Sequence, residues 1–156
     1  ENAFIKARAV HEQTGLASIA DDTGLEVDAL NGAPGVHSAR YAGQNPTYGE
    51  NCEKLLNSLE NFPDEKRAAK FRTVVAFVDR ETEYYAEGIV KGSIINECRG
   101  EDGFGYDSIF MPDSLGLTYA QMDIIQKNSM SHRFKALKKM KTFLVPYFKK
   151  RRAYRS

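Results

Sequence analysis

The sequence predicts one mixed α/β domain, in which helices flank a mixed, strongly twisted β-sheet. Residues 69–79 and 83–95 are rich in β-branched and aromatic side chains, as strands are. Other stretches repeat apolar residues at the spacing of amphipathic helices. The chain has 156 residues, 42% of them apolar, which is enough to bury one core. The domain is expected to span 1–146, and the basic segment 147–156 to form a frayed tail.

The first predicted element is a helix that begins at the first residue. Phe4, Ala7 and Val10 recur at helical spacing, and Gly15 provides a C-terminal stop. Because Glu1 opens the chain and no N-cap precedes it, we interpret the sequence as lacking its natural N-terminus. The sequence is therefore uninformative about a targeting peptide.

Short strands and turns are predicted next. The apolar run 16–20 predicts a buried strand, and Asp-Asp-Thr-Gly at 21–24 predicts a turn. Residues 25–28 alternate like a second short strand, and a loop rich in Gly and Pro follows at 31–35.

The central part predicts a helix and then a β-hairpin. Thr47 and Glu50 have the spacing of a capping box, which marks the start of a helix. The short link Asp79-Arg80-Glu81-Thr82, at the junction of strand 69–79 and strand 83–95, favours an antiparallel hairpin. The glycines of the second strand, among them Gly88, indicate bulges or bends.

The C-terminal part predicts one more strand and a last helix. A Gly-rich loop leads into a short strand at 106–110. The helix is expected to run from about Ser131 to Val145, because Pro146 disfavours its continuation. Its predicted apolar face consists of Phe134, Leu137, Met140 and Leu144.

Charge is distributed unevenly along the chain. The net charge is only +1, but residues 1–123 sum to −10 and residues 124–156 to +11. An acidic body with a basic end suits an anionic ligand that is held partly through a divalent cation. A solvated basic helix is the simpler alternative. A nucleic-acid-binding module that uses the basic C-terminus is a further, less favoured one.

Several functional classes are excluded. No apolar run approaches the roughly 20 residues that cross a bilayer, so we expect no membrane association. Cys52 and Cys98 lie far apart without a CxxC motif, which argues against a disulfide scaffold or a zinc ribbon and fits the cytoplasm. The sequence contains no P-loop motif, and Ser108 stands where a Rossmann fingerprint needs its third glycine.

An acidic pair is the first candidate site. Asp21 and Asp22 follow the first predicted strand, and α/β sheets present functional groups at strand ends. Two adjacent carboxylates there suit Mg²⁺, which prefers oxygen ligands. The structural alternative is a turn in which Asp22 only caps the backbone of Gly24.

Two further clusters carry aromatic and basic side chains. Phe104 and Asp107 flank Gly105, which would let a planar ligand approach the backbone, although core aromatics at a hairpin turn are the alternative. Ser131 is a plausible N-cap, so free backbone N–H groups would lie near neighbouring basic side chains and form an anion site. An exposed basic helix start is the alternative there.

Five segments together resemble one family, the inosine triphosphate pyrophosphatases. They are 20–25, 32–36, 38–43, 103–107 and 127–133, in this order. The resemblance extends from residue 1 to about 145 and implies an ITPase-like fold. It implies hydrolysis of noncanonical purine nucleoside triphosphates (ITP, dITP and XTP) to the monophosphate and pyrophosphate, with Mg²⁺ as cofactor and a homodimer as assembly. A catalytically inactive nucleotide-binding remnant is the alternative, because the family's phosphate loop would precede residue 1.

The resemblance also implies roles for individual residues. Asp22 would be the general base and a metal ligand, with Asp21 beside it. Glu1 would also bind the metal, and Lys6 would be a catalytic residue near the phosphates. The residues implied to bind the substrate are Thr23, Phe104, Gly105, Tyr106, Asp107, Lys127, His132 and Arg133.

Overall fold

One antiparallel sheet organises the protein, which we describe from a computed structural model over residues 1–113 and 115–153. The described strands follow the order β2-β1-β3-β4-β5 across the sheet. They are β1 Ser18–Val27, β2 Pro34–Gly35, β3 Ala68–Val78, β4 Glu83–Ile94 and β5 Phe110–Pro112. The α-helices are α1 Asn2–Thr14, α2 Tyr48–Ser58, α3 Ile124–Met130 and α4 His132–Ala153. The predicted mixed α/β class is confirmed, and every strand pair in these residues is antiparallel.

The predicted hairpin is confirmed as the centre of the sheet. β3 and β4 pair in unbroken register from Ala68 with Ser93 to Val78 with Glu83. The expected bulge at Gly88 is therefore absent from this pair. Gly88 instead lies directly beneath α4, where an added Cβ would stand closer to helix backbone than any van der Waals contact allows. The glycine permits close packing of helix on strand.

The segment 21–24 belongs to a strand, which corrects the predicted turn. β1 is a single ten-residue strand, and it pairs with β3 along its whole length. These pairs outweigh the local turn preference, because strand formation depends on context more than on intrinsic propensity. On its other edge, β1 pairs with β2 only at Leu25 and Glu26. Within the described ranges, residues 18–24 therefore pair with β3 on one side and have no strand partner on the other. We call this unpaired side the open edge of β1.

Helices pack on both faces of the sheet. α1 contributes Ala3 and Ala7 to a cluster on one face. α4 contributes Ala136 and Met140 to a cluster on the opposite face. The largest core cluster lies toward the other end of the sheet and includes Leu55 of α2. Among the residues described, no helix combines the length and the apolar character needed to cross a bilayer.

α4 continues past Pro146, where the sequence predicts its end. Tyr147 packs edge-on against Phe77 of β3 with ring centroids 5.3 Å apart. Its hydroxyl donates to Asp79 at 3.1 Å, and Arg151 pairs with the same carboxylate. The sequence predicts a frayed tail from residue 147, but these contacts stabilise the last turns of α4 as helix. The final three residues of the predicted tail lie outside the described part of the chain.

Candidate active site

The two carboxylates of the acidic pair are held by cations from two different helices. Lys6 Nζ on α1 donates to Oδ1 of Asp22 at 2.6 Å and to the carbonyl oxygen of Asp21 at 3.0 Å. Arg133 Nε, in the first turn of α4, donates to Oδ2 of Asp21 at 3.0 Å. Asp21 therefore ties β1 to the basic start of α4, whereas Asp22 ties β1 to α1.

The same geometry separates the acidic pair. Neighbouring side chains of a regular strand point to opposite faces of the sheet. Asp22 therefore lies on the face covered by α1, and Asp21 on the face covered by α4. The expectation that both carboxylates share one metal ion followed from the predicted turn, and the strand geometry corrects it.

A cavity of about 330 Å³ lies on the α1 face. Three carboxylates line it, those of Glu1, Asp22 and Glu26, together with Arg72. Glu26 is paired with Lys70 at 3.1 Å, whereas the Glu1 side chain is mostly exposed. Over residues 1–113 and 115–153, no three His, Cys, Asp or Glu side chains lie close enough together to hold a metal ion.

A second cavity, of about 210 Å³, lies at the start of α4 on the opposite face. Phe104 is half-exposed at its rim, with Lys127 Nζ 4.5 Å and Arg133 Cζ 5.7 Å from its ring centroid. Phe134 and Leu137 also line this cavity and are exposed, although they are predicted on the core face of the helix. An exposed aromatic ring beside two cations suits a planar ligand that carries negative charge.

A turn presents Phe104 to this second cavity. The strand predicted over 106–110 begins only at Phe110, since the preceding residues are folded into the turn. The carboxylate of Asp107 accepts from the backbone N–H of Phe104 at 2.8 Å and also pairs with Lys127 of α3. Gly105 has a φ of 61°, a left-handed conformation that glycine adopts without strain.

Besides Asp107, two more of the predicted substrate-binding residues are buried. The Tyr106 hydroxyl donates to the carbonyl oxygen of Ser38 at 2.8 Å, so its ring supports the turn from within the core. His132 is buried at the start of α4. Its burial, and then the nearby positive charges of Arg133 and Lys127, lower the pKa of His132 to about 3. The imidazole is therefore neutral at neutral pH.

Thr73 of β3 joins two predicted site residues but is not itself predicted. Its side chain is completely buried. Its Oγ1 lies 2.7 Å from Oγ1 of Thr23 and 2.7 Å from Nδ1 of His132. Thr23 and Thr73 are direct partners in the register of β1 and β3. No local motif around Thr73 signals this position, because only the pairing of distant strands creates it.

Burial of neutral His132 predicts a dependence of stability on pH. The folded pKa of about 3 lies below the ordinary value of 6.5. Between these values the unfolded chain binds a proton that the folded chain does not, so the free energy of unfolding rises with pH. We expect His132 to contribute a slope of up to about 1.4 kcal/mol per pH unit below pH 6.5.

Urea denaturation at several pH values between about 5 and 6.5 measures this slope above the range in which ordinary carboxyl groups titrate. His132→Gln should remove His132's share of the slope. His37→Gln, at an exposed histidine, is the matched control and should retain it. An equal slope in wild-type protein and His132→Gln would contradict the assignment.

Fold and cavities together define a class of protein. It is an α/β domain in which a carboxylate–lysine pair lies on one face of a strand, and an aromatic, cationic cavity lies on the other. Asp21 and Asp22, which anchor the two sets, both lie in the stretch of β1 that has the open edge. The chain belongs to the Ham1 family, whose model matches residues 1–143.

Relatives and solved structures agree with this assignment. The chain is 51% identical over 145 residues to the dITP/XTP pyrophosphatase of Thermoanaerobacter sp. (strain X514), covering 93% of this chain and 73% of the relative. The structure of the Staphylococcus aureus Ham1 protein matches with a TM-score of 0.88 and 43% identity, over 92% of this chain and 74% of that one. A HAM1 protein from Coxiella burnetii also gives 0.88, with 45% identity over 93% and 75%. The family and the ITPase-like fold predicted from the sequence are thereby confirmed.

Proposed function

We propose that the protein hydrolyses noncanonical purine nucleoside triphosphates (ITP, dITP and XTP) to the nucleoside monophosphate and pyrophosphate, as a house-cleaning activity of the nucleotide pool. The relative at 51% identity is a dITP/XTP pyrophosphatase, and its name supports this substrate class. One observation carries the proposal. Asp22 with Lys6, and Arg133 with Phe104, lie on the two sides of the open edge of β1. A nucleoside triphosphate lying across this edge reaches both sets.

The purine end of the substrate is assigned to the cavity at the start of α4. Phe104 offers its half-exposed face for stacking, and Lys127 and Arg133 balance negative charge beside it. His132 lines the same cavity, and Gly105 belongs to the turn that presents Phe104 to it. Buried donors in this cavity can pair with the keto oxygen of a noncanonical purine. When adenine enters instead, the same donors face its amino group, which is also a donor. Unpaired buried polar groups of this kind discriminate strongly between substrates.

The triphosphate end is assigned to Asp22. The carboxylate of Asp22 accepts a proton from the attacking water as general base, and Lys6 holds that carboxylate at 2.6 Å. Lys6 also places a positive charge beside the phosphates. Positioning and charge neutralisation account for most of the catalysis in phosphoryl transfer. Thr23, the next residue after Asp22, supports this end from the opposite face.

Asp22 and Glu1 are the residues that would hold Mg²⁺. They line the same cavity with carboxylate oxygens, the ligand type that Mg²⁺ prefers, and they leave room for phosphate and water ligands. Two protein carboxylates suffice for an ion that substrate phosphates help to bind. When bound, the ion neutralises charge on the phosphates. Asp21 orients Arg133 from the other face.

Pyrophosphate release tests the proposal. We expect Mg²⁺-dependent release from ITP, dITP and XTP, with kcat/KM at least about 10²-fold above that for ATP. Chelation of divalent ions should stop the reaction. Binding of ITP without turnover would favour the inactive nucleotide-binding alternative. Tight, steeply salt-dependent binding of RNA without turnover would favour the nucleic-acid alternative.

We further propose that the protein acts in the cytoplasm as a homodimer. Cys52 is a buried free thiol and Cys98 an exposed one, which fits a reducing compartment. The homodimer is implied by the family resemblance, and sedimentation equilibrium measures it directly.

A further inference from the structure

Thr73 is the central member of a buried hydrogen-bond chain. Its hydroxyl lies between Oγ1 of Thr23 and Nδ1 of His132, at 2.7 Å from each. A threonine hydroxyl has one hydrogen, so it can donate to only one of these neighbours and must accept from the other. Because neutral His132 carries a hydrogen on one ring nitrogen only, the direction of the chain and the tautomer of the ring are coupled.

Two arrangements satisfy these atoms. In the first, Thr23 donates to Thr73 and Thr73 donates to Nδ1, so the hydrogen of His132 is on Nε2. In the second, Nδ1–H donates to Thr73, Thr73 donates to Thr23, and Nε2 is an acceptor. The ring of His132 is also stacked on Phe71, with centroids 4.7 Å apart and planes 24° apart. Stacking and the Thr73 contact together restrict the orientation of the ring. The tautomer therefore decides whether Nε2 is a hydrogen-bond donor or an acceptor toward a ligand.

We propose that the chain takes the first arrangement, in which Thr73 is a positioning residue that donates to Nδ1 of His132 and leaves the ring hydrogen on Nε2, so that His132 presents a hydrogen-bond donor to the keto group of a noncanonical purine. The proposal deepens the proposed function and rests on it for the identity of the ligand. His132 lines the cavity in which Phe104 lies. With Nδ1 occupied by Thr73, Nε2 is the ring's remaining polar atom. A keto oxygen accepts from Nε2–H, whereas the amino group of adenine would oppose it with a second donor.

The first test is spectroscopic and needs no substrate. Long-range ¹H–¹⁵N NMR distinguishes protonated from unprotonated ring nitrogens, and the signals absent from His132→Gln identify His132. In wild-type protein at neutral pH, we expect Nε2 to be protonated and Nδ1 to be an acceptor. Protonated Nδ1 in wild-type protein would overturn the proposal, whether or not any variant folds.

Variants at position 73 then test the role of the hydroxyl. Thr73→Val keeps the shape of the side chain but removes the hydroxyl, so we expect a mixture of His132 tautomers. Thr73→Ser retains a hydroxyl and should restore the wild-type signals. Thr142→Val, at an exposed threonine of α4, is the matched control and should leave them unchanged. Wild-type tautomer signals in Thr73→Val would overturn the proposal.

Kinetics test the consequence for the base. Thr73→Val should reduce the preference for ITP over ATP by about threefold to tenfold, the effect of one hydrogen bond, mainly through KM for ITP. Thr73→Ser should recover the preference, and an unchanged preference in Thr73→Val would overturn the proposal's specificity role. If wild-type protein hydrolyses none of these nucleotides, the proposed function fails, while the NMR result still decides the tautomer.

Discussion

Gly88→Ala should lower the free energy of unfolding by about 3 kcal/mol, the upper end of the range for overpacking. A Cβ at this position would lie 2.0 Å from the carbonyl oxygen of His132 and 2.5 Å from the backbone nitrogen of Ala136. Both atoms belong to the backbone of α4, so no flexible side chain can move aside. The first turn of α4 must shift, and it carries Arg133 with it. We therefore expect loss of activity together with loss of stability.

Gly49→Ala is the matched control for this prediction. Gly49 is exposed in α2, and a Cβ there would lie 3.9 Å from its nearest neighbour, the hydroxyl oxygen of Thr47. Alanine is favoured over glycine in helices, so this variant should gain up to about 1 kcal/mol. Denaturant midpoints of both variants measure the contrast. Equal, small changes in the two variants would show that α4 is not packed on Gly88 as closely as described.

Elements defined by local chemistry could be predicted from the sequence. The capping box of α2 forms as expected, with Glu50 N donating to Oγ1 of Thr47 at 3.2 Å and Thr47 N donating to Oε2 of Glu50 at 2.7 Å. Gly15 ends α1 in the left-handed conformation that its position predicts. In each case, the residues that determine the structure are within a few positions of one another.

Elements determined by distant contacts could not be predicted in this way. The local sequence predicts a turn at Gly24, but the glycine is needed in a strand for the close approach of β2, since a Cβ there would lie 2.7 Å from the carbonyl oxygen of Gly35. Pro146 predicts the end of a helix, but Tyr147 and Arg151 bind Asp79, the residue after β3, and keep the helix intact. Tertiary contacts override local preference at both positions.

The candidate site shows the same division. Its charged residues could be selected from the sequence, because adjacent acids and a basic helix start are visible as local patterns. The face on which each residue lies could not, since it depends on whether 21–24 is a turn or a strand. Thr73 lies at a position that only the register of β1 and β3 reveals. Local patterns therefore identified the chemistry of the site, and strand pairing determined its geometry.

Asp22→Asn should reduce turnover of ITP by about 10²- to 10⁴-fold, the usual contribution of a general base, with little change in stability. Asparagine has nearly the shape of aspartate but neither accepts the proton nor carries the charge that attracts a metal ion. The side chains of Lys6 and Asp22 are 53% and 29% exposed, and a pair of such exposure contributes at most about 1 kcal/mol. Loss of activity and loss of stability should therefore separate in this variant, in contrast to Gly88→Ala.

Asp28→Asn provides the comparison for Asp22→Asn, because it neutralises an exposed carboxylate that does not line either cavity. It should match wild-type protein in both pyrophosphate release and thermal midpoint. Near-normal turnover by Asp22→Asn would remove Asp22 as the base and leave the α1 face without a general base. A large loss of stability would instead make the Lys6–Asp22 pair a structural tie between α1 and β1. Since each measurement isolates one of these roles, the pair of variants decides between a catalytic and a structural carboxylate.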